Sequence, residues 1–351
     1  MSKILLPTAA SIAIAIGSLS TAMAQGGSTT IGGKAYFDLT SIDEKSDGTS
    51  TDATGTGIDV KRFYFSVTHR FDETWSANLT TDFNYVSNDA ETQLFVKKAY
   101  FEGKFTDNFT LRVGSTDMPL VPYVEGLYGY RWIENVLVEH LGLESSADWG
   151  VHALGTFAGG KAHYAVAAVN GNGYKNPTRS NSLDFDGRVD FEPVDGLSLA
   201  LAYRTGKRGL DKESATTYHT AQRTEIVVAY TRPEYRVGVE YFQTSNWTTV
   251  LNPLSDKGDG YSVWGTYNLK DDVALFARYD SSNPSKDLQP ALENNYINFG
   301  VTFRPVDKID LAVVYKQDTV DNGFYKVSNG TLGGVDTGRH RELGIWAQVQ
   351  F

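Results

Sequence analysis

Apolar side chains occupy every second position in the last segment of the chain. Leu343, Ile345, Ala347, Val349 and Phe351 share one face, and the residues between them are glycine, tryptophan and glutamine. Successive side chains of a β-strand point to opposite faces, so this segment predicts a strand with lipid on one side and water on the other. Phe351 is accordingly predicted to be a C-terminal signal for membrane assembly.

The same two-residue period recurs along the chain and predicts sixteen strands. The spacing of about 20 residues per strand and connection suits tilted strands of about ten residues that cross a bilayer. No domain boundary interrupts the series. The predicted strands are 30–42, 58–71, 74–86, 92–105, 108–116, 146–158, 161–170, 181–192, 196–206, 220–232, 234–245, 258–269, 272–281, 292–305, 308–319 and 339–351.

Short and long connections alternate between these strands. The short ones are turn-like, and the long ones are polar or rich in glycine, at 43–57, 87–91, 117–145, 171–180, 207–219, 246–257, 282–291 and 320–338. Short turns at one rim and long loops at the other are typical of an outer-membrane β-barrel. A soluble β-sandwich is the alternative, but it would not sort its connections so regularly.

The two-residue period also assigns the faces of individual strands. In the strand 292–305, Ile297, Phe299 and Phe303 are predicted to meet lipid, whereas Tyr296 and Asn298 face the lumen. The sequence therefore predicts an all-β fold, a sixteen-stranded antiparallel transmembrane barrel with a wet interior.

The first 24 residues have the pattern of a secretory signal peptide. Lys3 supplies a positive charge, 4–16 is mostly apolar, and Ala22-Met23-Ala24 is a small-residue cleavage pattern. Cleavage after Ala24 would leave 25–351 as the barrel, and export with strands of this kind predicts the outer membrane of a Gram-negative bacterium. The chain has no cysteine, so disulfides do not stabilise it.

The formal net charge of −10 gives no support to a nucleic-acid partner. Outer-membrane lipid is the partner that the alternating strands predict. The charges at the predicted lumen positions have both signs. These side chains are expected to face inward because an Arg or Lys at the bilayer midplane costs about 2–4 kcal/mol against lipid. Most of them could simply solvate the wall; the sharper hypothesis is that some arginines form a track for anions.

The connection 117–145 is the longest and is unusually rich in aromatic residues, among them Tyr128, Tyr130 and Trp132. Such side chains have to be buried, and the barrel interior is the nearest protected surface. We therefore predict that this loop folds inward and narrows the lumen. The alternative is an outer loop packed on its neighbours or on another subunit.

Candidate functional residues follow from these assignments. The predicted constriction and selectivity residues are Arg62, Lys98, Arg112, Asp117, Tyr123, Arg131 and Glu134. Further basic residues predicted to line the lumen wall are Arg188, Arg204, Arg278, Arg304 and Lys316.

One region of the chain resembles a known family. The relevant residues are Lys61-Arg62-Phe63-Tyr64-Phe65-Ser66-Val67, Trp75, Asp82-Phe83, Ala99-Tyr100-Phe101-Glu102, Leu111-Arg112-Val113-Gly114 and Pro119. Residues 58–119 thereby resemble the phosphate-selective porins (porin O/P-like) of Gram-negative outer membranes.

The resemblance implies a sixteen-stranded homotrimer with the loop after the fifth strand in the lumen. It implies passive diffusion of small hydrophilic solutes or ions, in some members anions such as phosphate, and contact of the C-terminal strand with the barrel-assembly machinery. Arg62 and Arg112 match basic lumen positions of the family. A phosphate-trapping cluster has no match in 117–145, where Arg131 is accompanied by Glu125, Glu134 and Glu139.

Catalysis and metal binding find little support in the sequence. It contains no zinc-protease pair, nucleophile elbow or glycine-rich phosphate loop, so we predict no enzyme activity and no cofactor. His152 and His163 lie on adjacent predicted strands but about 13 Å apart, too far for a shared metal. The segment 256–260 has the oxygen ligands for calcium, although polar glycine-rich loops usually only turn.

A second hypothesis for function is an adhesin or receptor barrel. Its long loops would bind a partner outside the cell, and it would need no open passage. Conductance through a lipid bilayer distinguishes this hypothesis from a diffusion channel.

Overall fold

The computed structural model describes residues 27–85 and 92–351, which form one closed antiparallel β-barrel. The predicted signal peptide 1–24 and the predicted loop 87–91 lie outside the described residues. Sixteen long strands pair in sequence order, and pairing of the first with the last closes the barrel. The predicted sixteen-stranded barrel is thus confirmed.

The strands are numbered in chain order. They are β1 (Ser28–Ser46), β2 (Gly55–Arg70), β3 (Trp75–Tyr85), β4 (Thr92–Thr106), β5 (Phe109–Asp117), β6 (Ala147–Phe157), β7 (Ala162–Val169), β8 (Asp184–Phe191), β9 (Leu197–Gly206), β10 (Ala221–Thr231), β11 (Tyr235–Ser245), β12 (Lys257–Lys270), β13 (Val273–Asn283), β14 (Glu293–Val306), β15 (Ile309–Val327) and β16 (Gly330–Gln350). A two-residue strand, Thr49–Ser50, pairs with the end of β1.

Two short helices, α1 (Val121–Tyr128) and α2 (Leu137–His140), lie in the connection between β5 and β6. A third helical segment, the 3₁₀ turn Ala158–Gly160, joins β6 to β7. Among the described residues, no helix is long and apolar enough to cross a bilayer.

The predicted strand faces are confirmed on β14. Ile297, Phe299 and Phe303 are exposed on the outside, whereas Tyr296 and Asn298 are buried inside. Among the described residues, short turns and longer connections alternate except at the last connection, so one rim carries turns and the other carries the loops and the last hairpin. We call them the short-turn rim and the long-loop rim.

The prediction of a loop over 320–338 was wrong. β15 and β16 stay paired as far as Val327 and Gly330, so this segment is a hairpin with a bulge between Asp321 and Gly323. Glycine and polar residues made it resemble a loop, but ladder hydrogen bonds form between backbone groups whatever the side chain. Its buried Leu332 packs with residues of β15 and with Leu292 in the connection before β14.

Bulges in β2 and β4 break the strict two-residue period. In β2, Lys61 is the extra residue between Val60 and Arg62, and in β4, Lys97 is the extra residue between Val96 and Lys98. An extra residue changes which side chains face each side of the sheet. As a result, both Lys97 and Lys98 lie on the lumen side, although strict alternation would turn Lys97 towards lipid.

The connection between β5 and β6, residues 118–146, lies inside the barrel, as predicted; we call it the inner loop. Its α1 begins at Val121, with Pro122 in the first turn. Gly129 follows the last residue of the helix, and its φ of 80° is the left-handed conformation that glycine adopts readily. Its apolar residues pack against lumen-facing side chains of β9–β13, β15 and β16. The buried wall residues include Ala200, Ala229, Phe242, Trp264, Phe276, Val314 and Trp346.

Polar contacts join the inner loop to β15 and to the tip of the hairpin between β15 and β16. His140 of α2 lies with its Nε2 3.0 Å from Asp318 Oδ2 of β15. Glu134 lies 3.4 Å from Lys316 Nζ. The tip of the last hairpin also takes part, since Ser328 Oγ lies 2.9 Å from His140 Nδ1 and donates a hydrogen bond of 2.8 Å to Glu134.

We expect the stability contributed by His140 to depend on pH. Burial alone would lower the pKa of His140, but Asp318 and Glu134 raise it from 6.5 to about 10. Because the folded pKa is the higher one, this contribution is fully present below about pH 6.5 and is lost as the pH rises through about 10. Removing one partner of a buried ion pair costs about 3–5 kcal/mol.

Thermal unfolding in detergent of the parent and of His140→Gln measures this effect. The variant should unfold at a lower temperature at about pH 6, and the difference should shrink at about pH 11 because the parent ring is then neutral. An equal difference at both pH values would contradict the assignment of a charged His140.

Candidate functional site: the passage beside the inner loop

The inner loop leaves two neighbouring spaces, one beside β1, β2, β15 and β16 and the other beside β1–β5. One, of about 540 Å³, lies towards the long-loop rim and is lined in part by Lys61, Arg62 and Glu134. The other, of about 350 Å³, lies towards the short-turn rim. Tyr36 and Arg131 line both spaces. The two spaces therefore adjoin at Tyr36 on β1 and Arg131 on the inner loop, and we call them together the passage.

Arg131 is held in place by two carboxylates of the same loop. Its Nε lies 2.6 Å from Glu125 Oε1 and 3.3 Å from Glu139 Oε2. Burial opposes a charge at this position, but Glu139 and Glu125 raise the pKa of Arg131 well above its ordinary value. The loop thus presents a fixed guanidinium with two carboxylates to the passage.

The wall opposite the loop is mainly basic. Arg62 Nη1 lies 3.1 Å from Asp82 Oδ2, and Lys98 Nζ lies 2.6 Å from the Asp117 carboxylate. Lys34 and Lys97 also line the passage, and within the described part of the chain neither has a carboxylate at ion-pair distance. These two ammonium groups are therefore the cations of the passage that have no carboxylate partner among the described residues.

The other predicted constriction residues lie in different places. Arg112 pairs with Glu102 at 2.7 Å, five residues along β5 from Asp117 and nearer the short-turn rim. The ring of Tyr123 lies under the Arg188 guanidinium at 4.0 Å, on the side of the loop that faces β8. The structure therefore brings Arg62, Lys98, Asp117, Arg131 and Glu134 to the passage, but not Arg112 or Tyr123.

Most of the predicted wall residues point inward but are covered by the inner loop. Arg188 donates to the Pro119 carbonyl at 2.7 Å and Arg278 to the Asn135 carbonyl at 2.5 Å. Arg204 pairs with Asp184 at 3.0 Å and with Glu144 of the loop. These arginines anchor the loop and do not form a continuous track for anions.

The remaining predicted residues differ in position, since Lys316 lines the passage, whereas Arg304 and Phe351 lie towards the short-turn rim. Lys316 is buried over the ring of Trp346 at 4.5 Å and pairs with Glu342. Arg304 pairs with Asp310 at 2.8 Å beside a space at the short-turn rim. Phe351 is exposed, and its backbone exchanges two hydrogen bonds with Gly33 on β1.

Lys34, Tyr36 and Lys97 line the passage, although none of them is among the residues predicted for it. Lys34 and Tyr36 have the same parity as other lumen-facing positions of β1, so the alternation could have identified them. Lys97 was not predictable from alternation, because its orientation depends on the bulge.

No group of metal-ligating side chains able to hold an ion occurs within residues 27–85 and 92–351. In the segment 256–260, Asp256 accepts hydrogen bonds from the backbone of Lys257 and Asp287, and Asp259 pairs with Lys286. His163 lies 2.8 Å from Asp190 Oδ2. These side chains therefore serve local contacts.

Comparison with protein families identifies the chain. Residues 9–338 match the model of the Gram-negative porin family, so the chain belongs to that family. The porin class expected from the resemblance of residues 58–119 is confirmed; the matching model describes the broader family, without the phosphate-selective subtype. No curated protein sequence matches the chain.

Solved structures of porins share the fold. An anion-selective porin from Comamonas acidovorans is 13% identical, with a TM-score of 0.66, and the match covers 93% of this chain and 100% of that one. The outer membrane channel DcaP of Acinetobacter baumannii is 12% identical, with a TM-score of 0.64 and coverage of 93% and 98%. The trimer form of OmpT, an outer membrane protein of Vibrio cholerae, is 15% identical, with a TM-score of 0.61 and coverage of 93% and 100%.

We expect the charge of the passage to become more positive in mild acid. Burial raises the pKa of the Glu125 carboxyl above its ordinary value, despite the opposing charge of Arg131. Glu125 therefore gains a proton at a higher pH than an ordinary glutamate, which leaves Arg131 less compensated. The ratio of anion to cation permeability should rise as the pH falls.

Reversal potentials in a KCl gradient, recorded at about pH 7.5 and about pH 5, measure this ratio. Glu125→Gln should show a smaller change, because its side chain carries no proton to gain. A change of the same size in the parent and the variant would show that another group is responsible.

Proposed function

We propose that the protein is a passive diffusion porin of the outer membrane that passes small hydrophilic solutes or ions and catalyses no reaction. The observation that carries this proposal is the pair of polar spaces that meet at Tyr36 and Arg131 beside the inner loop. The fixed charges would filter solutes by charge, and the side chains that line the two spaces would limit the size of the solutes.

We further propose a homotrimer, export with cleavage after Ala24 and recognition of Phe351 by the barrel-assembly machinery. The trimer is supported by family membership and by the trimer form of one similar structure. The exposed rings of Phe71, Trp75 and Phe101 at the short-turn rim suit burial against a membrane or another subunit.

The proposed selectivity is a modest preference for anions. Arg62 and Lys98 are each paired with one carboxylate and Arg131 with two, which leaves Lys34 and Lys97 as the cations of the passage without a carboxylate partner in the described part of the chain. Specificity for phosphate would need several uncommitted cations around one point. The paired charges here favour a general anion preference over a phosphate trap.

Planar-bilayer recordings of the refolded full barrel test the proposal. We expect discrete, ohmic channel steps and a reversal potential on the anion side in a KCl gradient. Silence in a folded, membrane-inserted preparation would refute the porin and favour the adhesin or receptor barrel, which needs no passage.

Lys97→Met should reduce the anion preference, because it removes an uncommitted charge from the passage. The matched control is Lys104→Met on the same strand, since Lys104 is exposed and pairs with Asp107 at the short-turn rim. Equal reversal potentials for the two variants would contradict the role given to Lys97. Arg112→Ala should have an intermediate effect, because Arg112 is already paired with Glu102.

Deletion of residues 120–140 should enlarge the single-channel conductance, since those residues fill the β9–β16 side of the lumen. Heat-modifiable migration in gels would show that the shortened chain still forms a barrel. Unchanged conductance of a folded deletion variant would mean that the inner loop does not limit the passage.

A further inference from the structure

The space towards the short-turn rim combines cations and rings in a way that a simple charge filter does not need. Its volume of about 350 Å³ is at the lower end of the range of small-molecule sites. Lys34 and Lys97 provide ammonium groups without a carboxylate partner in the described part of the chain. An anion entering here would gain the ion pairs that these groups lack.

Aromatic rings form the adjacent wall of this space. The rings of Tyr36 and Tyr64 meet edge to face with centroids 5.7 Å apart. Lys97 Nζ lies 4.6 Å from the centroid of Tyr64 and donates a hydrogen bond of 3.3 Å to its hydroxyl. The cation of Lys97 is therefore fixed beside a tyrosine ring, where the charged end and the flat face of a ligand could both be bound.

Hydroxyl groups of two strands and a proline of the inner loop also line this space. Ser66 and Thr80 form a hydroxyl pair at 2.9 Å on the wall, and Pro122 of the inner loop lies across the space. The carboxylates nearby reduce but do not cancel the charge of the two lysines, because Asp117 is paired with Lys98, and Glu125 and Glu139 share Arg131. A carboxylate is thus favoured near the lysines, and a flat apolar group beside the tyrosines.

We infer that this space is a binding subsite for aromatic carboxylates of the benzoate class, which the channel admits in preference to aliphatic carboxylates of the same charge. The inference rests on the proposed diffusion function and names the solute class for the same passage. The alternative, a site for inorganic anions in which the rings have no role, is an outcome of the test.

The experiment measures block of the chloride current through the refolded full barrel in a planar bilayer. Benzoate, cyclohexanecarboxylate and inorganic phosphate are added separately to one side. We expect benzoate to reduce the current at a concentration about threefold to tenfold lower than cyclohexanecarboxylate, the range that an aromatic pair contributes.

Substitutions separate the ring from its hydroxyl. Tyr64→Leu should remove the preference for benzoate over cyclohexanecarboxylate, whereas Tyr64→Phe should retain it because the ring remains. Lys97→Met should weaken block by both carboxylates. The matched control, Tyr267→Leu, lies on the outer face of β12 and should behave as the parent.

The possible outcomes are distinct. Equal block by benzoate and cyclohexanecarboxylate in a conducting parent channel overturns this inference and leaves the porin intact. Stronger block by phosphate than by benzoate also overturns it and identifies an inorganic-anion site. A folded parent that conducts nothing overturns both the subsite and the proposed function.

Discussion

Burial of the inner loop against the inner wall of the barrel is the interaction on which the rest of the structure depends. A porin lumen is usually wet, yet the lumen face of β9–β16 presents large apolar side chains, among them Phe242, Trp264, Phe276 and Trp346. The apolar side of the loop removes them from water, which gives the barrel a hydrophobic core on one side. The passage is therefore displaced towards β1–β5.

The same burial decides what the lumen charges do. A charge beneath the loop has lost its water and must be paired. This is why Arg204, Arg223 and Arg278 bind carboxylates or carbonyls of the loop and its surroundings. Among residues 27–85 and 92–351, Lys34 and Lys97 line the passage without a carboxylate at ion-pair distance. The proposed selectivity would thus depend on the few charges that do not anchor the loop.

Alternation predicted the strands well because the two solvents of a membrane barrel impose it. Lipid excludes charge from one face of each strand, and the other face tolerates almost any side chain, so the period survives along the whole chain. The two-residue period did not predict the structure correctly where the backbone departs from regular pleating. A bulge turns Lys97 to the lumen, although alternation predicts that it faces lipid. Composition predicts a loop over 320–338, but backbone pairing leaves little trace in composition.

By itself, the sequence determined the barrel class, the number of strands, the lipid-facing residues and the inward position of the loop. Each of these follows from local periodicity or from apolar surface that has to be hidden. Only the tertiary structure decided which lumen charges reach the passage. That choice depends on where the loop lies across the lumen, which brings Arg131 of the loop opposite Tyr36 of β1 and buries Arg204 and Arg278. Contacts between residues so distant in the chain leave no periodic signal in the sequence.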